Sequence, residues 1–180
     1  MAKQFDTIAA PHKAFIEDQH LFFVGSAARE GRVNVSPKGM DSLRVMGPNR
    51  IVWLNLTGSG NETAGHLRDV NRMTLMWCSF TTRPLILRCY GTARTVHPRD
   101  ADFAELAGLF GTPTGARQVY DMTVDLVQTS CGYAVPFFDE HRERDTLVTW
   151  AEDKGDDGIV AYWEEKNLKT IDGADTGIFE

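Results

Sequence analysis

Three cysteines, at positions 78, 89 and 131, are too few and too widely spaced for a disulfide framework or a zinc site. Set in apolar sequence, they are expected to be buried thiols. No apolar run approaches the roughly 20 residues needed to span a bilayer, and the opening MAKQFDTIAAPHKAF carries no signal-peptide core. A cytoplasmic protein that does not bind membranes is therefore expected. Basic residues are also scarce. The 19 lysines and arginines are outnumbered by 25 acids, for a net charge of −6 and a pI near 5.4. That balance argues against a nucleic-acid surface or a polybasic anchor and leaves small molecules or other proteins as partners. The usual catalytic signatures are missing too. His12, His20, His66, His97 and His141 show no HxxH or HExxH spacing, so no metal site is read. There is no GxSxG elbow, and the Gly58-Ser59-Gly60 turn lacks the lysine of a P-loop. No internal repeat or low-complexity linker is found.

What remains is a chain with 42% hydrophobic residues, long enough to bury one core over residues 1–180. Apolar spacing predicts a helix over Asp6 to Asp18 and strands over Leu21 to Ala28, Arg32 to Ser36 (ended by Pro37) and Ser42 to Met46. Beyond these lie a strand over Ile51 to Leu56, a helix over Asn61 to Val70, and strands over Arg72 to Phe80 and Leu85 to Val96. A helix over Asp100 to Phe110, a strand over Asp121 to Ser130, and two helices from about residue 143, broken at Lys154-Gly155-Asp156, complete the chain. Arg72 to Phe80 is apolar on both faces, which points to cover from a partner. In Leu85 to Val96, by contrast, Leu87, Cys89, Gly91 and Ala93 alternate with Arg88, Tyr90, Thr92 and Arg94. Many short strands with few helices give a β-rich α+β class, an antiparallel barrel rather than a doubly wound sheet.

Residues 50–80 are the most informative stretch: a strand, a glycine-broken turn, a helix and a strand. Ser59 followed by Glu62 fits a capping box at the head of the helix. First-turn N–H groups have no intrahelical partner, so with Ser59, Asn61 and Thr63 they are a candidate phosphate seat. A cap that holds nothing is the alternative. Trp53, Trp77 and Trp150 are open to either a core or a ring-stacking role.

The ordered segments GSAAREGRVNVSPKG, RIVWLNLTGSGNETAGHLRDVNRMTLMWCSF and PLILRCYGTARTV resemble the pyridoxamine 5′-phosphate oxidase-like family of FMN-binding split barrels. Trp150, Tyr162 and Asn167 to Gly173 resemble an uncharacterised branch of it. The resemblance spans about residues 20–173. It implies an antiparallel split β-barrel that binds FMN, a homodimer with flavin at the interface, and a flavin-dependent oxidoreductase acting on a small molecule. Carried over residue by residue, it implies that Arg32, Val33, Asn34, Val35, Ser36 and Lys38 line the cofactor, together with Leu54 and Asn55. Ser59, Gly60 and Asn61 fall where the family's oxidases carry a Ser-Arg-Lys phosphate clamp. The two missing cations would have to be replaced by Lys38, the helix N-terminus and Arg88. Arg32 and Lys38 would stabilise a reduced ring, or else are simply exposed hairpin residues. The arginine and histidine substrate motif of the true oxidases is absent after Ile171. Alternatives are a deazaflavin-dependent reductase, with Arg44, Arg72 and Arg88 lining a groove, and a non-catalytic dimer binding flavin, or haem through His66 or His141.

Overall fold

The computed structural model describes residues 2–111 and 113–180. Eight strands form one sheet: β1 (Lys3–Phe5), β2 (Phe22–Ser26), β3 (Asn34–Lys38), β4 (Leu43–Gly47), β5 (Arg50–Leu56), β6 (Met73–Cys78), β7 (Ile86–Val96) and β8 (Ala116–Ser130). Its order is β3-β2-β6-β7-β8-β5-β4, and every pairing is antiparallel. The 15-residue β8 holds the sheet together. It runs along all of β7 on one side, and on the other it pairs first with β5 and then with β1. The sheet curls around a core of Val24, Ile51, Trp53, Leu75, Trp77, Leu87, Tyr120 and Met122 without closing, which makes it a split barrel.

Four helices accompany this sheet: α1 (Ala10–Glu17), α2 (Glu62–Asp69), α3 (Phe103–Gly108) and α4 (Thr146–Lys166), the last with its own buried cluster of Ala151, Ile159, Trp163 and Ile178. Helix α1 closes the main core with Phe15 and Ile16. Helix α3 covers a second cluster, Val52, Leu54, Val96 and Val119, on the opposite face of the strands. Helix α4 is two helices joined at Gly155, whose φ of 62° and ψ of 174° break the ladder where the sequence places the break. No helix among the described residues is long and apolar enough to cross a membrane.

Several boundaries differ from expectation. The N-terminal segment opens as β1 and becomes helical only at Ala10, because Lys3 to Phe5 find hydrogen-bonding partners on β8. Pro37 lies inside β3 instead of ending it. Since β3 is an edge strand, a residue without an N–H costs no ladder bond on its open side. Helix α3 starts three residues late, and β8 starts at Ala116, not Asp121. Of the cysteines only Cys89 is buried; Cys78 is half-buried and Cys131 exposed. Met73, Leu75 and Trp77 of β6 are fully covered, but Thr74, Met76 and Cys78 are only half-covered within one chain.

Candidate functional site

Strand β4 pairs with β5 only as far as Trp53, and Leu54 donates its N–H to the Ser42 carbonyl just beyond. Asn55 and Leu56 therefore have β8 on one side alone. The gap beside them is a cleft of about 290 Å³, closed by Asn34, Ser36 and Lys38 of the edge strand β3 and by the Gly58-Ser59-Gly60 turn into α2. Alternation along β3 sends Asn34, Ser36 and Lys38 into the cleft and Val33 and Val35 outward, where they are 71% and 64% exposed. The Lys38 ammonium crosses the split to Asn55 Oδ1 at 3.3 Å and lies 5.7 Å from the Trp53 ring centroid.

Arg117, at the start of β8, completes the cleft and is 2% exposed. Its guanidinium donates to Gln118 Oε1 at 2.9 Å, the Gly58 carbonyl at 3.2 Å and Asn167 Oδ1 at 2.7 Å, all neutral acceptors. Neither Arg117 nor Lys38 has a carboxylate partner among the described residues. Burial, with the Arg117 charge adding to it, pushes the Lys38 ammonium down to about 8, and burial pushes Arg117 down to about 10. Two cations held close together without a counter-ion raise each other's cost, and an anion between them relieves it.

The turn is braced by a chain of amides. Asn55 Nδ2 donates to Gln118 Oε1, Gln118 Nε2 to Asn61 Oδ1 and Asn61 Nδ2 to the Asn167 carbonyl, while Asn167 Nδ2 donates to the Gly58 carbonyl. Trp163 Nε1 donates to Thr57 Oγ1, tying the same turn to α4. The capping box does not form. Asn61 is the residue before α2, and the Glu62 carboxylate accepts the Ile171 N–H at 3.0 and 3.1 Å. That contact turns the only carboxylate that lines the cleft among the described residues toward the C-terminal segment. The first turn of α2 still lines the cleft, with N–H groups that have no intrahelical partner.

The structure thus brings together Asn34, Ser36, Lys38, Asn55, Ser59, Gly60, Asn61 and Thr63, and leaves out the rest. Arg32 is exposed and ion-paired with Asp172, whose carboxyl the Arg32 N–H and guanidinium hold below the usual range. Val33 and Val35 face away, and Leu54 is buried under α3. Arg88 donates to Ser130 Oγ at the far end of β7, so it does not replace a missing clamp cation. The cation that the fold does bring into the cleft beside Lys38 is Arg117. The sequence reading passed over it by starting the strand at Asp121, although the pair Val119-Tyr120 signalled that the strand began earlier. Trp53 and Trp77 are core residues, and Trp150 packs edge-on against Tyr162. Arg44 and Arg72 line separate clefts, so with Arg88 they form no single groove. His66 is buried with Nδ1 3.1 Å from Ser26 Oγ. No cluster of metal-ligating side chains occurs among the described residues.

Residues 8–131 match the family model described as pyridoxamine 5′-phosphate oxidase. The chain belongs to the pyridoxamine 5′-phosphate oxidase family. It is 41% identical over 126 residues to the family protein ustO of Aspergillus flavus, covering 67% of this chain and 51% of that protein. The chain therefore spans about half the length of the curated relative it matches. Among solved structures, HupZ from Group A Streptococcus superposes with a TM-score of 0.54 at 21% identity, covering 66% of this chain and 91% of that one. HutZ, the heme storage protein from Vibrio cholerae, superposes at 0.50 and 14%, covering 69% and 96%. At such identities what these two share with this chain is the fold. The match to the family model ends at residue 131, so Trp163, Asn167 and Ile171, which brace the cleft's turn, lie beyond it.

Proposed function

We propose that the protein binds FMN through its phosphate in the cleft of Arg117 and Lys38 and works as a flavin-dependent oxidoreductase on a small molecule. The observation that carries this reading is the buried, carboxylate-free Arg117 beside Lys38 at the mouth of the α2 turn, in a chain of this family. The donor set fits a phosphate monoester: two cations, the Ser36 and Ser59 hydroxyls, helix-terminal N–H groups, and an acid turned aside. FMN, when bound, supplies hydride transfer, and the chain's residues bind and orient it. Residues 1–180 act as one FMN-binding unit in the cytoplasm. A second copy completes the ring site. Support for this dimer comes from the half-covered Thr74, Met76 and Cys78 and from the exposed apolar edge of Val33 and Val35. A haem reading through His66 or His141 has less support, since the first ring is buried against Ser26 and the second is stacked on His20.

Titration of the cofactor-free protein with FMN and with riboflavin, which lacks the phosphate, tests this. FMN is expected to bind about a hundredfold tighter, since two charge-assisted contacts are worth roughly 3 kcal/mol. Equal affinities would remove the cleft as a phosphate seat.

The pH dependence has a definite sign. The phosphate is a dianion above about pH 6. Only protonated Lys38, which titrates at about 8 in the free protein, attracts it, so FMN affinity should fall as pH rises through the range above that value. Stability of the cofactor-free protein runs the other way. An unfolded lysine titrates near about 10.4, so between 8 and that value the unfolded chain holds the extra proton and raising the pH favours folding. FMN affinities measured at about pH 7 and pH 9.5 check the first sign; a flat profile would exclude Lys38 from the contact.

A further inference from the structure

A second cavity, of about 700 Å³, lies on the other side of Lys38, which lines both. Its floor and walls are apolar, formed by Leu21, Pro37, Met40, Leu147 and Trp150. Its rim is basic. Arg142 and Arg144 line it, and among the described residues neither has a carboxylate partner. The His20 and His141 rings also line it, stacked with centroids 3.5 Å apart and planes inclined by 23°. Glu143 is the single carboxylate in the lining among the described residues. The acids flanking this segment, Asp139, Glu140 and Asp145, lie outside it. Two arginines and a lysine therefore line one apolar cavity in a chain whose net charge is −6. Met40 and the adjacent Asp41, at φ of 60° and 50°, form the tight turn that leads from β3 to β4.

We propose that this cavity is the seat of a small organic anion, a carboxylate or phosphate ester with a flat apolar body. The body lies against Leu147 and Trp150, and the anionic group meets Arg142 and Arg144. The volume suits a small-molecule ligand, and apolar walls with a few convergent polar groups are the usual make-up of such sites. Unpaired guanidiniums recognise carboxylate and phosphate through two parallel N–H donors. Residues 141–150 lie beyond the family match, so this wall is not shared through it, and it would select the ligand independently of how the family holds its cofactor. That the ligand is the substrate of the oxidoreductase rests on the FMN reading; that the cavity binds an organic anion does not.

The test uses three probes of one shape, 2-naphthoate, 2-naphthyl phosphate and the neutral 2-naphthamide, followed by quenching of tryptophan fluorescence. Both anions should bind at least tenfold tighter than the amide, and whichever binds tighter identifies the anionic group. In the double variant Arg142→Gln/Arg144→Gln that preference should vanish, while affinity for the amide and for FMN stays within twofold. Both arginines are exposed, so the fold is not at stake. Equal binding of amide and anions, or a preference that survives the double variant, would overturn the proposal. So would complete displacement of the naphthoate by saturating FMN, because the cavity would then be the flavin's own seat. If naphthoate follows the arginines but FMN fails to bind the wild type, the anion cavity stands and the FMN reading falls.

Discussion

Replacing Arg117 by methionine is expected to lower FMN affinity about a hundredfold and to abolish the rise in melting temperature that FMN produces. The guanidinium is 2% exposed and has only neutral acceptors, so a bound phosphate would be its sole opposite charge within reach. Hydrogen bonds between ionised partners contribute roughly 1.5 to 3 kcal/mol each, and an Arg–phosphate pair can make two. The variant will also melt lower without ligand, since Asn167 Oδ1 is left without a donor at about 1 to 3 kcal/mol, while Gln118 Oε1 keeps its bond from Asn55 Nδ2. The quantity to measure is therefore the ligand increment, not the melting temperature itself. A ligand present at a hundred times its Kd stabilises by about 2.7 kcal/mol, and this increment should be nearly gone in Arg117→Met and partly kept in Arg117→Lys. An undiminished FMN increment on a lower baseline would make Arg117 a brace for the 58–61 turn and nothing more.

Gly91→Ala is expected to destabilise the fold by about 3 kcal/mol or more, a large share of the roughly 5 to 15 kcal/mol that holds a domain together. At Gly91 the register between β7 and β8 slips by one residue, with Tyr90 opposite Leu126 and Gly91 opposite Val124. A Cβ at position 91 would fall on the Thr123 carbonyl, which is backbone and cannot rotate away. The same slip re-aims β8, so that Met122 and Val124 face the core before it and Val127 after it. Because β8 carries Arg117 at its other end, the variant should lose FMN binding in proportion to its loss of folded protein. Denaturant unfolding followed by tryptophan fluorescence measures the effect. A change below about 1 kcal/mol would mean that the two strands can separate locally to admit the methyl group.

Element types were legible from local pattern. The alternation in Leu85 to Val96 placed Leu87, Cys89 and Ala93 inside and Arg94 outside, as found. The Gly58 to Gly60 stop between an apolar strand and a helix was visible as well, as was the break at Gly155. Both signals lie within a few residues of what they control. The partners of polar side chains were less legible. Glu62 has the spacing of a capping residue, but its carboxylate goes to Ile171, more than a hundred residues away in sequence. Arg32 and Lys38 look equivalent as basic residues beside a hairpin. Yet Asp172 takes the first into solvent, while the second crosses the split to Asn55.

The sequence alone determined the β-rich class, the strand-turn-helix around residue 58 and the membership of the family, because periodicity and ordered segments are local properties of the chain. Only the tertiary structure decided which cations meet. Lys38 from an edge strand, Arg117 from the start of β8 and Asn167 from the end of α4 converge at the point where β4 stops short of Asn55. Such convergence depends on strand register and sheet curvature, and these are set by packing across the whole core rather than by any stretch of neighbouring residues.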